Sequence, residues 1–216
     1  MNRDDLLGEN REMVEKLAEE VADLSPEAIF VVVTEPVDLM TLAFHRSSSL
    51  PRHHVMGLGC CLDSARMRFS IARELGVAVD TVTALVIGSH SEAMIPLPQC
   101  SWVSGVPIAE IMGTDMLRGI EATVKSAGDE ILRLARVTSS YYAASAVLAD
   151  VVEAIQFDLK RVLSVSVCLK GEYGLSGVAM SLPAVIGADG IGRILTPELT
   201  DEQDRLLRQA ADRRGK

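Results

Sequence analysis

Apolar residues recur at helical spacing over residues 4–24. Leu6, Leu7, Met13, Val14, Leu17 and Val21 alternate with charged positions, which predicts an amphipathic helix. Ser25-Pro26 stops it. Ile29 to Val33 is an unbroken β-branched and aromatic run, the pattern of a strand buried on both faces. Thr34-Glu35-Pro36 ends that strand, and Pro36 suits the opening of a helix reaching about Ser48. Pro51 breaks the helix, and His54 to Leu58 predicts a second strand. Helix, strand, helix, strand is the alternation of a parallel α/β unit.

A helix is predicted from Leu62 to Leu75, with Ala65, Phe69, Ala72 and Leu75 as its apolar stripe and Gly76 as its stop. Val82 to Ile87 reads as a strand ending at Gly88. Pro96, Pro98 and Gly105-Val106-Pro107 predict loop. Two helices follow, about Asp115 to Arg136 and Tyr141 to Asp158. Val162 to Leu169, Val178 to Ile186 and Ile191 to Leu195 then form an antiparallel meander. Thr200-Asp201-Glu202-Gln203 is a capping box for a last, highly charged helix, read as a solvated face. The expected class is α/β over residues 1–59, followed by an α+β unit over residues 60–216.

With 48% hydrophobic residues among 216, the chain can build a real core. A formal charge of -9 argues against nucleic acid, which needs a basic face, but leaves room for an anion met by local arginines. No run approaches the roughly 18 apolar residues of a membrane span. The charged N-terminus lacks an apolar signal core, so cytoplasm is the default location and no membrane partner is expected. The four cysteines, Cys60, Cys61, Cys100 and Cys168, have no C-x-x-C or metal spacing and read as buried or half-buried thiols. His53-His54 has no carboxylate or cysteine at partner spacing, so no metal site is assigned.

Asp63, Arg66 and His90 are the residues with chemistry. Asp63 lies in the first turn of a predicted helix, Arg66 is three residues on, and His90 follows a strand end. A carboxylate, a guanidinium and an imidazole in one place can clamp an anion and move a proton. Taken singly, an Asp-x-x-Arg on a helix face is more often a surface ion pair, and a histidine after a strand is more often structural.

The order of motifs adds a resemblance. Leu62-Asp63-Ser64-Ala65-Arg66-Met67-Arg68, Thr34-Glu35-Pro36-Val37-Asp38, Gly88-Ser89-His90-Ser91-Glu92, and the opening Asn2-Arg3-Asp4-Asp5-Leu6-Leu7 resemble, in sequence order, the lactate/malate dehydrogenase family. Met94-Ile95-Pro96 and Gly171-Glu172-Tyr173-Gly174 resemble its lactate-dehydrogenase-like malate branch. The resemblance implies a remnant of a Rossmann parallel sheet followed by that family's C-terminal catalytic domain. It implies hydride transfer between NAD and a 2-hydroxy or 2-oxo dicarboxylic acid such as malate or oxaloacetate. It makes His90 the proton donor and acceptor, and Asp63 the group that holds its imidazole. Arg66 binds the substrate carboxylate, Arg3 polarises the reacting carbonyl, and Ser140 lines the nicotinamide pocket.

The chain also departs from the family pattern. The glycine fingerprint of the nucleotide half is not found, so roughly 80 to 90 residues of that half are missing from this reading. A homo-oligomer, or a partner chain supplying that half, is the implied assembly. Glu35 stands where the family has an asparagine that bridges substrate and nicotinamide. Ser91-Glu92 replaces Gly-Asp, with strain expected if Ser91 takes a positive φ, and Ala144 replaces a proline. The alternative to an enzyme is a catalytically degenerate homologue serving as an assembly or regulatory subunit.

Overall fold

The computed structural model describes residues 3–135 and 141–214. The amphipathic N-terminal segment forms α1 (Arg3–Leu24), followed by β1 (Phe30–Val32), α2 (Val37–Ser48) and β2 (Val55–Gly57). β1 and β2 pair in parallel, as the alternation predicts. Next come α3 (Cys61–Leu75), β3 (Val82–Thr83), β4 (Val86–Gly88), β5 (Met94–Pro96), β6 (Trp102–Val103), β7 (Val106–Pro107) and α4 (Ile108–Ile111). Two longer helices follow, α5 (Thr114–Ala135) and α6 (Tyr141–Gln156). The chain closes with β8 (Arg161–Lys170), β9 (Ser176–Gly187), β10 (Gly190–Ile194) and α7 (Asp201–Arg214). The capping box forms: Gln203 N–H donates to Thr200 Oγ1 at 3.2 Å, and Thr200 N–H donates to Gln203 Oε1 at 3.0 Å.

One seven-stranded sheet, in the order β1-β2-β8-β9-β4-β5 with β10 beside β9, runs through the molecule. Only β1–β2 is parallel; the other pairs are antiparallel. α2, α3 and α6 all pack against the β8–β9 hairpin. Ser164 to Leu169 of β8 are therefore buried in succession, and every second residue cannot be polar and solvated. The parallel pair joins the rest at Gly57, opposite Ser166 of β8. A Cβ on Gly57 would collide with Thr41 Oγ1 and press on Ser166 Cβ, so only glycine lets α2, β2 and β8 meet this closely.

Several expectations change. Met13 and Leu17 of the α1 stripe are exposed, and β1 is an edge strand, only partly buried, with Val33 exposed beyond it. α7, read as a solvated face, buries Leu207, Ala210 and Ala211 in the main core. Val82 to Ile87 is not one strand: Val82–Thr83 pairs with β6 in a separate three-stranded sheet, and Val86–Gly88 joins the main sheet. The break is held by Ser64 Oγ, which accepts the Val86 N–H at 3.0 Å. The segment read as loop carries the short strands β5, β6 and β7. Pro96 and Pro107 are tolerated because β5 and β7 are edge strands, where a missing N–H faces no neighbour, and Pro98 opens a short 3-10 helix, where no N–H is needed. On α3, Phe69 is 56% exposed and is not part of the apolar face. α3 is covered on two sides. Cys61 and Leu62 face the main sheet and α6, while Met67, Ile71 and Ala72 face α5, which leaves Phe69 on the outer surface beside Arg73.

These two positions separate the readings of α3. Ile71→Ala, at a fully buried site, is expected to cost about 2–5 kcal/mol, and Phe69→Ala under about 1 kcal/mol. Urea unfolding of both variants checks this; equal losses would contradict the packing described.

Candidate active site

β4 ends at Gly88, whose φ of 90 turns the chain toward α2 and α3 and presents Ser89 and His90 to them. The backbone there is fastened by Asp38, in the first turn of α2 and 2% exposed. Its Oδ2 accepts the His90 N–H at 3.0 Å and the Ser89 hydroxyl at 2.9 Å. Its Oδ1 accepts the Ser166 hydroxyl at 2.7 Å. One buried carboxylate thus ties the histidine loop to β8 and to α2, satisfied as a buried charge must be.

Asp63, fully buried in the first turn of α3, holds the side chain. Its Oδ2 lies 2.5 Å from His90 Nδ1, and its Oδ1 accepts a hydrogen bond from Arg66 Nη1 at 3.1 Å. The expected side-by-side placement of Asp63 and Arg66 is found, but the pair is not a surface pair: Arg66 retains only 16% of its side-chain exposure. Arg66 Nε is buried and meets no acceptor among the described residues. On the other side of the ring, Glu35 Oε1 stands 3.4 Å from His90 Nε2. The second Glu35 oxygen accepts the Val37 N–H at 3.0 Å and so caps α2, and Asn10 of α1 donates to the Glu35 carbonyl at 2.9 Å.

Burial depresses the His90 pKa. The hydrogen bond and charge of Asp63, with the charges of Glu35 and Asp38, outweigh that and leave it above the ordinary 6.5. The arrangement is an imidazole with a carboxylate on each nitrogen and a guanidinium alongside. It can hold a proton, give it at Nε2, and bind an anion at Arg66.

The structure brings together His90, Asp63, Arg66 and Glu35. Arg3 opens α1, and Ser140 lies outside the described residues. Ser91 does not take a positive φ: Gly88 takes it instead, and the Ser91 hydroxyl donates to Ser89 Oγ at 3.2 Å. The sequence reading gave no role to Asp38, Ser89 or Ser166. The available signal was polar residues, Asp38 and Thr41, on a helix face otherwise filled by Val37, Met40 and Phe44. Cys60 Sγ, Asp63 and His90 offer three donor atoms within 4.8 Å of one another. Burial pushes the Cys60 thiol well up, aided by the charges of Asp63 and Asp38. His90 Nδ1 in this cluster is hydrogen-bonded to Asp63.

Residues 60–213 match the lactate/malate dehydrogenase alpha/beta C-terminal domain, and residues 1–57 match the lactate/malate dehydrogenase NAD binding domain. The chain is 37% identical over 212 residues to a malate dehydrogenase of Bacillus israeli, covering 98% of this chain and 68% of that protein. It is 40% identical over 212 residues to one of Thermomicrobium roseum, covering 98% of this chain and 68% of that protein. The malate dehydrogenase structure from Aeropyrum pernix superposes with a TM-score of 0.93 at 38% identity, over 99% of this chain and 69% of that one. The one from Salinibacter ruber gives 0.94 at 36% identity, over 99% and 70%.

The raised His90 pKa has a consequence for stability. A group whose folded pKa lies above its unfolded value stabilises the fold fully below the unfolded value, and that contribution is lost as pH rises through the folded one. Stability of the wild type relative to His90→Gln is expected to fall as pH climbs from 6.5. Urea midpoints of both proteins across that range check it; a difference that stays flat or grows would contradict the site electrostatics.

Proposed function

The chain belongs to the lactate/malate dehydrogenase family, and from that we propose that it is a malate-dehydrogenase-like oxidoreductase acting on a small 2-hydroxy acid, with NAD as hydride carrier. The observation that carries this reading is the unpartnered, buried Nε of Arg66 beside an imidazole whose Nδ1 is already committed to Asp63. Arg66 binds the substrate carboxylate through its free edge. Asp63 keeps a proton on Nδ1, so Nε2 is the working nitrogen. In reduction of the 2-oxo acid, the His90 imidazolium gives its Nε2 proton to the carbonyl oxygen; in oxidation, the neutral ring takes the hydroxyl proton. Arg3 is assigned to polarising the carbonyl. A dicarboxylate such as malate or oxaloacetate is the substrate that the likeness to malate dehydrogenases favours.

When bound, NAD supplies or accepts the hydride. The described residues suit its nicotinamide end, where the C-terminal end of β1 leads to Glu35 next to His90; Ser140 is assigned to the same pocket. They do not offer a pyrophosphate cradle, because the β1-to-α2 turn, Val33-Thr34-Glu35-Pro36, contains no glycine. On this reading residues 1–59 serve the nucleotide side and residues 60–216 the substrate side. On this reading a partner chain supplies the rest of the nucleotide-binding half, within an oligomeric assembly. Among the described residues no helix is long and apolar enough to cross a membrane. Glu35 beside Nε2 favours a second reading, a catalytically silent subunit that assembles with an active relative.

The two readings part in one assay. NADH oxidation is followed with oxaloacetate and with the singly charged 2-oxo acid pyruvate, for the chain alone and for the chain mixed with the missing nucleotide-binding portion of a related malate dehydrogenase. The enzyme reading expects turnover of a 2-oxo acid in at least one arm, reduced by on the order of a hundredfold or more in His90→Gln. No turnover in either arm would overturn it and leave the subunit reading.

A further inference from the structure

The nitrogen of His90 that faces substrate already has an anion beside it. Glu35 Oε1 is 3.4 Å from Nε2, on the side opposite Asp63. This carboxylate is fixed: its other oxygen takes the Val37 N–H at the start of α2, and the Glu35 carbonyl is held by Asn10. With the side chain 62% exposed, Glu35 forms an outer wall of the site and not part of its buried frame. Two further carboxylates, Asp63 and Asp38, lie behind the ring, and Arg66 is the guanidinium bonded to Asp63. Among the described residues, three carboxylates therefore surround His90 and Arg66.

We propose that Glu35 is a specificity-determining residue of this site: as a built-in anion on the substrate-facing nitrogen of His90, it makes the site select singly charged 2-oxo and 2-hydroxy acids over doubly charged ones. The inference rests on the 2-hydroxy acid reading above and departs from the dicarboxylate that likeness to malate dehydrogenases alone would favour. A reacting oxygen at Nε2 puts the reacting carbon next to Glu35. One carboxylate of the ligand turns away to Arg66. A second negative group on the carbon chain remains within a few ångströms of Glu35, where like charges repel. A neutral amide or hydroxyl in the same place can donate to the carboxylate instead. In a half-wet site this charge contrast is worth on the order of tenfold to a hundredfold in affinity.

Oxamate and oxalate test it, because they have nearly the same shape and differ by an amide against a carboxylate. The full chain, isotope-labelled and mixed with that nucleotide-binding portion and NADH, is titrated with each anion, and the His90 imidazole resonances, from a chain of four histidines, report binding. Glu35→Gln removes the charge and retains a carbonyl that can accept the Val37 N–H, so the α2 cap survives; Glu35→Asp keeps the charge. The wild type and Glu35→Asp are expected to bind oxamate about tenfold to a hundredfold more tightly than oxalate, and Glu35→Gln to bring the ratio near one by improving oxalate. A ratio near one in the wild type, or one unchanged in Glu35→Gln, overturns the role of Glu35 and leaves the 2-hydroxy acid reading standing. If neither anion moves the His90 resonances in any variant, both readings fall.

Discussion

A carboxylate with no exposed surface has to be answered by partners, and Asp63 is answered by two. One oxygen holds His90 Nδ1 and the other holds Arg66. Removing either partner would leave a buried charge short of a donor, at a cost of several kcal/mol. This couples the start of α3 to the end of β4, so the imidazole and the guanidinium sit in one fixed relation. The proposed proton transfer and anion binding depend on that relation.

A second buried carboxylate does the same for the backbone. Asp38 collects the Ser89 hydroxyl and the His90 N–H from the loop after β4, and the Ser166 hydroxyl from β8. Its helix, α2, follows the parallel strand β1, while Ser166 lies on β8 opposite Gly57 of β2. The seam between the parallel pair and the antiparallel sheet therefore passes directly under the site. Glu35 sits three residues before Asp38 on the same entry into α2, which is how one turn supplies both the support behind His90 and the charge in front of it.

Much of this was legible in the sequence. The alternation of the first 59 residues yields the parallel pair, and the capping box at Thr200 forms with both bonds. Asp63, Arg66 and His90 come together, and the ordered motifs place the chain in its family. Short strands between prolines were not legible, because two-residue ladders have no period of their own and exist only through their neighbours. The face of α3 was misread because a helix covered on two sides has no single stripe, so Phe69 fits a spacing rule while lying outside the core. Asp38 was hidden for a different reason. A lone acid near a helix start is the ordinary pattern of a cap, and only the fold brings Ser89 and Ser166 to it.

His90 stands between Asp63 and Glu35 with its pKa raised above the ordinary value, and on the proposed reading Nε2 is the nitrogen that releases the proton. Nitrogen-15 shifts of the His90 ring, followed as pH rises through neutrality, test that claim most directly. The account predicts a ring protonated on both nitrogens past the ordinary histidine value of 6.5, losing its proton from Nε2 first. A ring already neutral below that value, or one that keeps its proton on Nε2 and loses it from Nδ1, would contradict it.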